Sequence, residues 1–215
     1  MRSLAVIGAG GHGCDVVDIA DAVGHYTEIQ LFADWVSDDG RLAQRGLTRP
    51  RPLEELDPGR WEVIIAIGDP VGRRSMAQRL AAMALRYAVL IHPDTTIGRA
   101  VEIGEGTVVH AGARISGGAR IGAHAYVSHN VSIGHDARVG AFGTLLPLAV
   151  VSGNVVLHEA VLVGTSAVVI EGRTVGASSI VGAGALVTKD VPSDVTVTGV
   201  PAPQQRARSN SPFGR

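Results

Sequence analysis

The spacing of hydrophobic positions divides the chain into two parts near residue 92. From Ile97 to Val187 an aliphatic residue returns at every sixth position. Neither a helix of 3.6 residues per turn nor an alternating strand produces that period. A triangular coil of three six-residue units does produce it, because the aliphatic side chain of each short strand then points to the coil axis. We expect about five such coils, stacked about 4.8 Å apart as a parallel β-helix.

A small residue, often glycine, follows many of the aliphatic positions and predicts a tight corner there. Only 4% of the residues are aromatic, which suits an interior too narrow for rings. The predicted axial residues are Ile97, Ile103, Val109, Ile115, Ile121, Val127, Ile133, Val139, Leu145, Val151, Leu157, Val163, Val169, Val175, Val181 and Val187.

The residues before the repeats have the pattern of a small parallel sheet with helices. Apolar runs predict strands at 4–7, 28–32, 61–68 and 87–91. Amphipathic stretches predict helices at 14–23 and 70–86, and a loop rich in proline and charge spans 37–60. The resulting order, β-α-β-β-α-β, is typical of a Rossmann-like α/β domain.

We therefore expect an α/β domain at 1–92 and a β-helix domain at 93–200. The remaining residues, 201–215, form a C-terminal tail, and its polar, aperiodic end predicts fraying.

Composition and charge exclude several classes of protein. With 46% apolar and 18% charged residues the chain is globular, and its net charge of −1 provides no field that would attract nucleic acid or an anionic membrane. No apolar run is long enough to span a bilayer. Cys14 is the only cysteine, which excludes an intrachain disulfide and a cysteine-based zinc site. We expect a cytoplasmic protein without nucleic-acid or membrane partners.

The sequence GAGGHG at 8–13 matches the GxGxxG fingerprint between a predicted strand and helix. Asp34 ends the next strand, where a ribose-binding acid stands in dinucleotide folds. The α/β part contains only one mononucleotide-sized half, so NAD chemistry is disfavoured. Glycines and a helix N-terminus accommodate any diphosphate, including that of a sugar nucleotide. A purely structural turn remains the alternative.

Chemistry in a β-helix must occur on an outer face or between subunits, because aliphatic residues fill the interior. His92 and His110 are 18 residues apart and should stack, yet no third metal ligand accompanies them, so we expect no metal. His135 lies two places after the axial Ile133 and should project outward beside Asp136. Such a carboxylate makes an imidazole more basic and selects its tautomer, as a general base near pH 7 requires.

Together these motifs resemble the bacterial sugar O- and N-acetyltransferases of the sialic acid O-acetyltransferase type. The resemblance is carried by the repeats and by IGAGGHG at 7–13, IAIG at 65–68, VSIGHDARVGAF at 131–142 and VGAGALVTKDVPSDVTVTGVPA at 181–202. This family includes enzymes that acetylate a nucleotide-linked 4-amino-4,6-dideoxy-sugar. The resemblance implies that 1–92 is a nucleotide-sugar-binding domain and that 93–200 is a left-handed β-helix acyltransferase domain. It also implies a homotrimer with active sites between adjacent β-helices, and acetyl-CoA lying along the coils.

The resemblance also implies roles for individual residues. His135 is the general base that takes a proton from the sugar amine as it attacks the thioester, and Asp136 raises its basicity, with no metal and no covalent enzyme intermediate. The implied acetyl-CoA contacts are Thr144, Gly153, Thr165 and Ala183. The implied nucleotide-sugar contacts are Gly11, His12, Asp34, Gly68, Asp69 and Arg73.

Some positions depart from the family pattern. Cys14 stands where Lys or Arg is frequent, and Trp35 replaces the second member of an aspartate pair. Ser128 replaces an asparagine, and Thr144 replaces a second histidine near the acetyl group. The first hypothesis is N-acetylation of a nucleotide-activated amino sugar. O-acetylation of a free sugar such as sialic acid, and a catalytically weak nucleotide-binding scaffold trimer, are the alternatives.

Overall fold

The structure, a computed structural model, describes residues 2–34, 40–202 and 204–207. The α/β part contains β1 (Ser3–Ile7), α1 (Gly11–Val23), β2 (Glu28–Phe32), the short helix α2 (Arg41–Gln44), a 3-10 turn (Leu53–Glu55), β3 (Glu62–Ile65), α3 (Pro70–Leu80), a second 3-10 turn (Ala81–Met83) and β4 (Arg86–Tyr87). Its strands form one parallel sheet in the order β2-β1-β3-β4. The predicted parallel α/β sheet is therefore confirmed.

Alternate residues of the central strand β1 pack on opposite sides of this sheet. Leu4 and Val6 pack in the cluster that contains α1, whereas Ala5 and Ile7 pack in a second cluster on the other side. Because both faces are covered, the strands read as continuous apolar runs. The α1 cluster continues into Tyr126 of the β-helix, so α1 is packed between the sheet and the first coils.

Several predicted element boundaries were wrong. The strand predicted at 61–68, for example, ends at Ile65. Helix α1 begins at Gly11 rather than at residue 14, because the end of the glycine loop is already helical. Helix α3 ends at Leu80, and the 3-10 turn after it leads to Ala84 in the left-handed conformation with φ of 48°. The predicted strand 87–91 is divided, because β5 (Leu90–Ile91) leaves the sheet and pairs with Val108–Val109 of the β-helix. The coil ladder thus starts before residue 92.

The repeats form three parallel ladders, here called faces 1, 2 and 3 in the order the chain visits them. Face 1 contains β5, β8 (Val108–Val109), β11 (Tyr126–Val127), β14 (Thr144–Leu145), β17 (Leu162–Val163), β20 (Ile180–Val181) and β22 (Val195–Thr198). Face 2 contains β6 (Thr96–Ile97), β9 (Arg114–Ile115), β12 (Ser132–Ile133), β15 (Val150–Val151), β18 (Val168–Val169) and β21 (Leu186–Val187). Face 3 contains β7 (Glu102–Ile103), β10 (Arg120–Ile121), β13 (Arg138–Val139), β16 (Val156–Leu157) and β19 (Thr174–Val175).

The predicted six-residue period is confirmed by the register of these ladders. Ile133, for example, lies between Ile115 and Val151 of the neighbouring coils and is 0% exposed. Face 2 has six strands, so the predicted number of about five coils was too low. Ile97 is 40% exposed, because no earlier strand of face 2 covers it.

The tight turn at each corner lies at a different residue from the small one predicted directly after the axial position. The third residue after the axial position, such as Asp136 at φ 58° or Phe142 at φ 58°, adopts the left-handed conformation. The glycine that directly follows the axial residue is required by the close approach of the neighbouring coil. A Cβ on Gly134 would lie 2.3 Å from the backbone nitrogen of Gly153 in the next coil, so close stacking excludes a side chain.

The tail prediction was wrong in part. Strand β23 (Gln204–Ala207) pairs antiparallel with β22, and its backbone therefore extends face 1. Residues 208–215, for which fraying was also predicted, lie outside the described residues. None of the helices in the described ranges combines the length and the apolar composition that a bilayer-spanning segment requires.

Candidate active site

His135 and Asp136 occupy the corner between faces 2 and 3, after β12 and Gly134. The His135 Nδ1 atom lies 3.0 Å from Asp136 Oδ2, and the two side chains are 58% and 63% exposed. A neutral imidazole that donates its Nδ1–H to this carboxylate has its lone pair on Nε2. The outward orientation expected from the sequence is therefore confirmed, and Nε2 is available as a proton acceptor.

The coils on either side hold this pair by its backbone. The Asn154 N–H donates to the His135 carbonyl at 2.9 Å, and the Asp136 N–H donates to the Gly117 carbonyl at 3.1 Å. Gly153, in the adjacent coil, faces the imidazole so closely that a Cβ there would lie 2.5 Å from His135 Nε2. The absent side chain of Gly153 thus provides the space that the ring occupies.

The four residues expected to contact acetyl-CoA lie at three places. Gly153 adjoins His135, whereas Thr165 and Ala183 are exposed and stack at the corner between faces 1 and 2. Thr144 is 0% exposed, and its hydroxyl accepts a hydrogen bond from Arg73 at 2.9 Å. The hydroxyl of this predicted acetyl-CoA contact is therefore enclosed where the α/β part meets the β-helix.

The glycine loop and two further predicted positions lie together at the carboxyl edge of the parallel sheet. Gly8 follows β1, Asp34 follows β2 and Gly68 follows β3. A Cβ on Gly13 would lie 2.0 Å from the Gly8 carbonyl oxygen, so the loop packs against the first turn of α1. Helix α1 begins at Gly11 without a side-chain cap, which leaves its first N–H groups available to an anion.

Asp34 and Asp69 have partners within the protein. Asp34 is ion-paired with Arg79, and both side chains are exposed beside a groove of about 830 Å³ that Arg49 and Arg51 also line. Asp69 caps helix α3, since its Oδ2 accepts from the Gly72 N–H at 2.8 Å. Trp35, which departs from the family pattern, lies outside the described residues.

His12 turns toward the β-helix. Its ring centroid lies 4.0 Å from that of Tyr126 and 5.9 Å from that of His110, and its Nδ1 is buried without a hydrogen bond. Burial, with His110 and Arg73 nearby, lowers the pKa of His12 to about 3, so the ring is neutral at pH 7. His110 lies 3.3 Å from His129 between ring nitrogens. Burial lowers the pKa of His110 to about 3 as well.

Arg73, predicted as a nucleotide contact, is 1% exposed. Every N–H of its guanidinium group donates to an acceptor within the protein, which leaves none for a ligand. Within the described parts of the chain, no group of three His, Cys, Asp or Glu side chains could hold a metal ion.

Comparison with known proteins extends over both parts of the chain. Residues 3–80 match the PglD N-terminal domain family. The acetyltransferase domain of PglB from Neisseria gonorrhoeae, solved with acetyl coenzyme A, is 35% identical with a TM-score of 0.85, covering 94% of this chain and 98% of that one. The chain belongs to the hexapeptide-repeat acetyltransferase family.

Other members of this hexapeptide-repeat family are also similar. PerB from Caulobacter crescentus, in complex with CoA and GDP-perosamine, is 30% identical with a TM-score of 0.80, covering 96% of this chain and 98% of that one. The fold matches the left-handed β-helix acetyltransferases, as expected. A tetrahydropyridine-dicarboxylate N-acetyltransferase of Staphylococcus aureus is 50% identical over only 48 residues, which are 22% of this chain. The match spans 20% of the length of that curated relative.

Sequence reasoning missed the buried histidines and the role of Arg73 in this hexapeptide-repeat protein. Tyr126 belongs to the outward row of face 1, and two-residue alternation predicts exposure there, but α1 covers it. The signal in the sequence that this row is covered was its apolar or aromatic character at Val108 and Tyr126. The outward rows of the other two faces contain charged residues such as Arg114 and Arg120.

Proposed function

We propose that this protein is an acetyl-CoA-dependent N-acetyltransferase that acts on the amino group of a nucleotide-activated 4-amino-4,6-dideoxy-sugar. The observation that carries the proposal is the exposed His135–Asp136 pair, with its Nδ1–Oδ2 distance of 3.0 Å, on a fold similar to acetyltransferases solved with acetyl-CoA and with a nucleotide amino sugar. An amine acceptor is favoured because PerB is named as an N-acetyltransferase of GDP-perosamine.

In the proposed reaction, His135 Nε2 accepts a proton from the sugar amine while the amine nitrogen attacks the thioester carbonyl carbon. A C–N amide bond forms, the C–S bond breaks, and the proton passes from His135 to the departing CoA sulfur. Asp136 accepts the hydrogen bond from Nδ1 throughout and stabilises the imidazolium that forms. No covalent intermediate on the enzyme is required, and no metal ion enters the scheme.

The exposure of the pair supports an active site between protomers. A histidine that is 58% exposed interacts weakly with its carboxylate in water, so a general base at this corner needs a second surface that excludes solvent. Thr165 and Ala183 lie at a different corner, two and three coils beyond that of His135, which suits an acetyl-CoA site to which two β-helices contribute. We therefore propose a homotrimer. We also propose that the protein acts in the cytoplasm.

The carboxyl edge of the sheet is the proposed nucleotide site, since open parallel sheets bind ligands outside the carboxyl ends of their strands. The uncapped first turn at Gly11 suits the diphosphate. The groove beside Asp34, with Arg49 and Arg79, suits the nucleoside. Gly68 lies at the same edge and Asp69 directly follows it.

The test is an assay of thiol release from acetyl-CoA with UDP-, dTDP- and GDP-linked 4-amino-4,6-dideoxy-sugars and, in parallel, free sialic acid. N-acetylation of one nucleotide amino sugar, verified by mass, is the expected result. Acetylation of sialic acid alone would replace the proposal with O-acetylation, because a hydroxyl acceptor then suffices. Absence of thiol release with every acceptor, while nucleotide binding persists, would leave a non-catalytic scaffold.

A further inference from the structure

Arg73 joins the α/β part to the β-helix from the first turn of α3. Its acceptors belong to the loop after β3, to the corner before β11 and to the corner before β14. They are the carbonyls of Ile67 at 2.6 Å, Gly68 at 3.2 Å, His124 at 2.7 Å, Phe142 at 2.8 Å and Gly143 at 3.2 Å, and the hydroxyl of Thr144 at 2.9 Å. One side chain therefore holds three segments that are far apart in the sequence.

All of these acceptors are uncharged, so the buried guanidinium depends on the distance and orientation of each hydrogen bond. Burial lowers the pKa of Arg73 to about 10, so its guanidinium remains charged at neutral pH. Loss of a hydrogen-bond partner strongly destabilises a buried charge. The planar guanidinium also holds its five N–H groups in one fixed geometry, so the acceptors must lie where those groups point. The three segments are therefore restricted to one relative position.

Thr144 completes the connection. Its hydroxyl accepts from Arg73 Nη2 and donates to the Gly68 carbonyl at 3.2 Å. Gly68 lies at the carboxyl edge of the sheet, where the nucleotide site is proposed, while Thr144 begins a strand of the β-helix. The Thr144 hydroxyl thus connects the two parts of the chain.

We infer that Arg73, together with Thr144, is a positioning element that sets the separation between the nucleotide-binding edge and the coils that carry the acetyl-transfer corner. This inference rests on the proposed function, because a substrate must span both regions for the separation to matter. A nucleotide amino sugar does so: its nucleotide contacts the sheet edge and its amine must reach the thioester. Arg73 itself contacts neither ligand.

The test compares Arg73→Lys, Arg73→Met and Thr144→Val with the control Arg74→Gln. Arg74 is adjacent on α3 and also reaches the β-helix, through Glu159 at 3.1 Å, but this ion pair is exposed. Thr144→Val preserves volume and removes only the hydroxyl, so it serves if the Arg73 variants do not fold. The measurements are kcat and KM for the nucleotide amino sugar, and the dissociation constants of the free nucleoside diphosphate and of CoA.

We expect kcat/KM for the amino sugar to fall in the Arg73 variants and in Thr144→Val, by on the order of 10² for Arg73→Met, since misplacement of about 1 Å has that effect. Binding of nucleoside diphosphate alone and of CoA alone should change by less than about threefold, as each contacts one region, and Arg74→Gln should match wild type. The inference would be overturned by folded variants that keep the wild-type kcat/KM. It would also be overturned by variants that no longer bind either the nucleoside diphosphate alone or CoA alone.

Amide hydrogen exchange separates this inference from the proposed function. In Thr144→Val and Arg73→Lys, exchange should accelerate in peptides that cover residues 67–68 and 142–144, and Arg74→Gln should leave both unchanged. This result holds even if no nucleotide amino sugar proves to be the substrate. Unchanged exchange in both peptides would refute the connection, whichever acceptor the enzyme uses.

Discussion

Gly153→Ala should impair catalysis by displacing His135 while leaving the fold intact. The added Cβ would lie 2.5 Å from His135 Nε2, 2.8 Å from Cε1 and 3.0 Å from Cδ2. Ordinary contact begins at 3.4 Å, so the imidazole must withdraw by the difference from 2.5 Å, about 0.9 Å. Because the His135 side chain is 58% exposed, it can move into solvent without disturbing the core.

The expected effect on rate follows from this displacement. Moving a reacting group by about 1 Å lowers the rate by on the order of 10²-fold, so kcat should fall by about that factor. The backbone at Gly153 is not in the left-handed region, and alanine there carries no conformational strain. We therefore expect the thermal midpoint to change by less than about 3 °C, which corresponds to about 1 kcal/mol for a chain of this size.

The assay is steady-state kinetics with saturating acceptor and varied acetyl-CoA, together with thermal unfolding. Gly117→Ala is the matched control, since Gly117 occupies the same corner two coils before Gly153 and its Cβ would meet only the Arg99 carbonyl oxygen closely, at 3.2 Å. A Gly153→Ala protein with wild-type kcat would refute the placement of Nε2 at the reacting centre. A higher KM for acetyl-CoA at unchanged kcat would make Gly153 a binding contact only.

Further predictions concern the base, the histidines, the nucleotide and the assembly. His135→Asn should lower kcat by about 10² to 10⁴ with acetyl-CoA affinity retained, and Asp136→Asn should lower it less and shift the pH–rate profile; wild-type rates in the first variant would remove His135 from its role. Burial lowers the pKa of His110 to about 3 and of His124 to about 4, below the unfolded value near 6.5. The folded protein therefore binds fewer protons than the unfolded one below pH 6.5, and each histidine should reduce the free energy of unfolding by about 1.4 kcal/mol per pH unit as the pH falls toward 4. Urea unfolding at pH 7 and pH 5 should show that loss, His110→Gln should diminish it, and substitution of the exposed His25 should not; equal losses in all three proteins would contradict the assignment. In a thermal-shift screen the cognate diphosphate among UDP, dTDP and GDP, at about 100 times its dissociation constant, should add about 2.7 kcal/mol, and equal shifts with all three would argue against selection of the base. Analytical ultracentrifugation should give three times the monomer mass, and a monomer with full activity would exclude a shared active site.

Local patterns accounted for much of the fold because they depend on contacts that repeat along the chain. An aliphatic residue every six positions defines the coil, since each such side chain meets those 18 residues before and after it on one axis. The outward position of His135 followed from the same period. The number of coils was underestimated, because Ile91 and Val197 continue the ladders beyond the run that was counted.

The candidate site was only partly predictable, because burial depends on elements far apart in the sequence. His135, Asp136 and Gly153 could be brought together from the period alone, since they lie at one corner of adjacent coils. Nothing local to Arg73 or Thr144 indicates that helix α3 packs against a coil corner.

By itself, the sequence determined the coil, the parallel sheet, the glycine loop and the exposed histidine beside its carboxylate, since each is a property of neighbouring residues or of a regular repeat. Only the tertiary structure decided that Arg73 and Thr144 are enclosed between the two parts of the chain and that His12 is directed toward Tyr126. The physical reason is that a polar side chain can be buried only where acceptors from distant segments converge on it, and that convergence arises from the packing of whole elements.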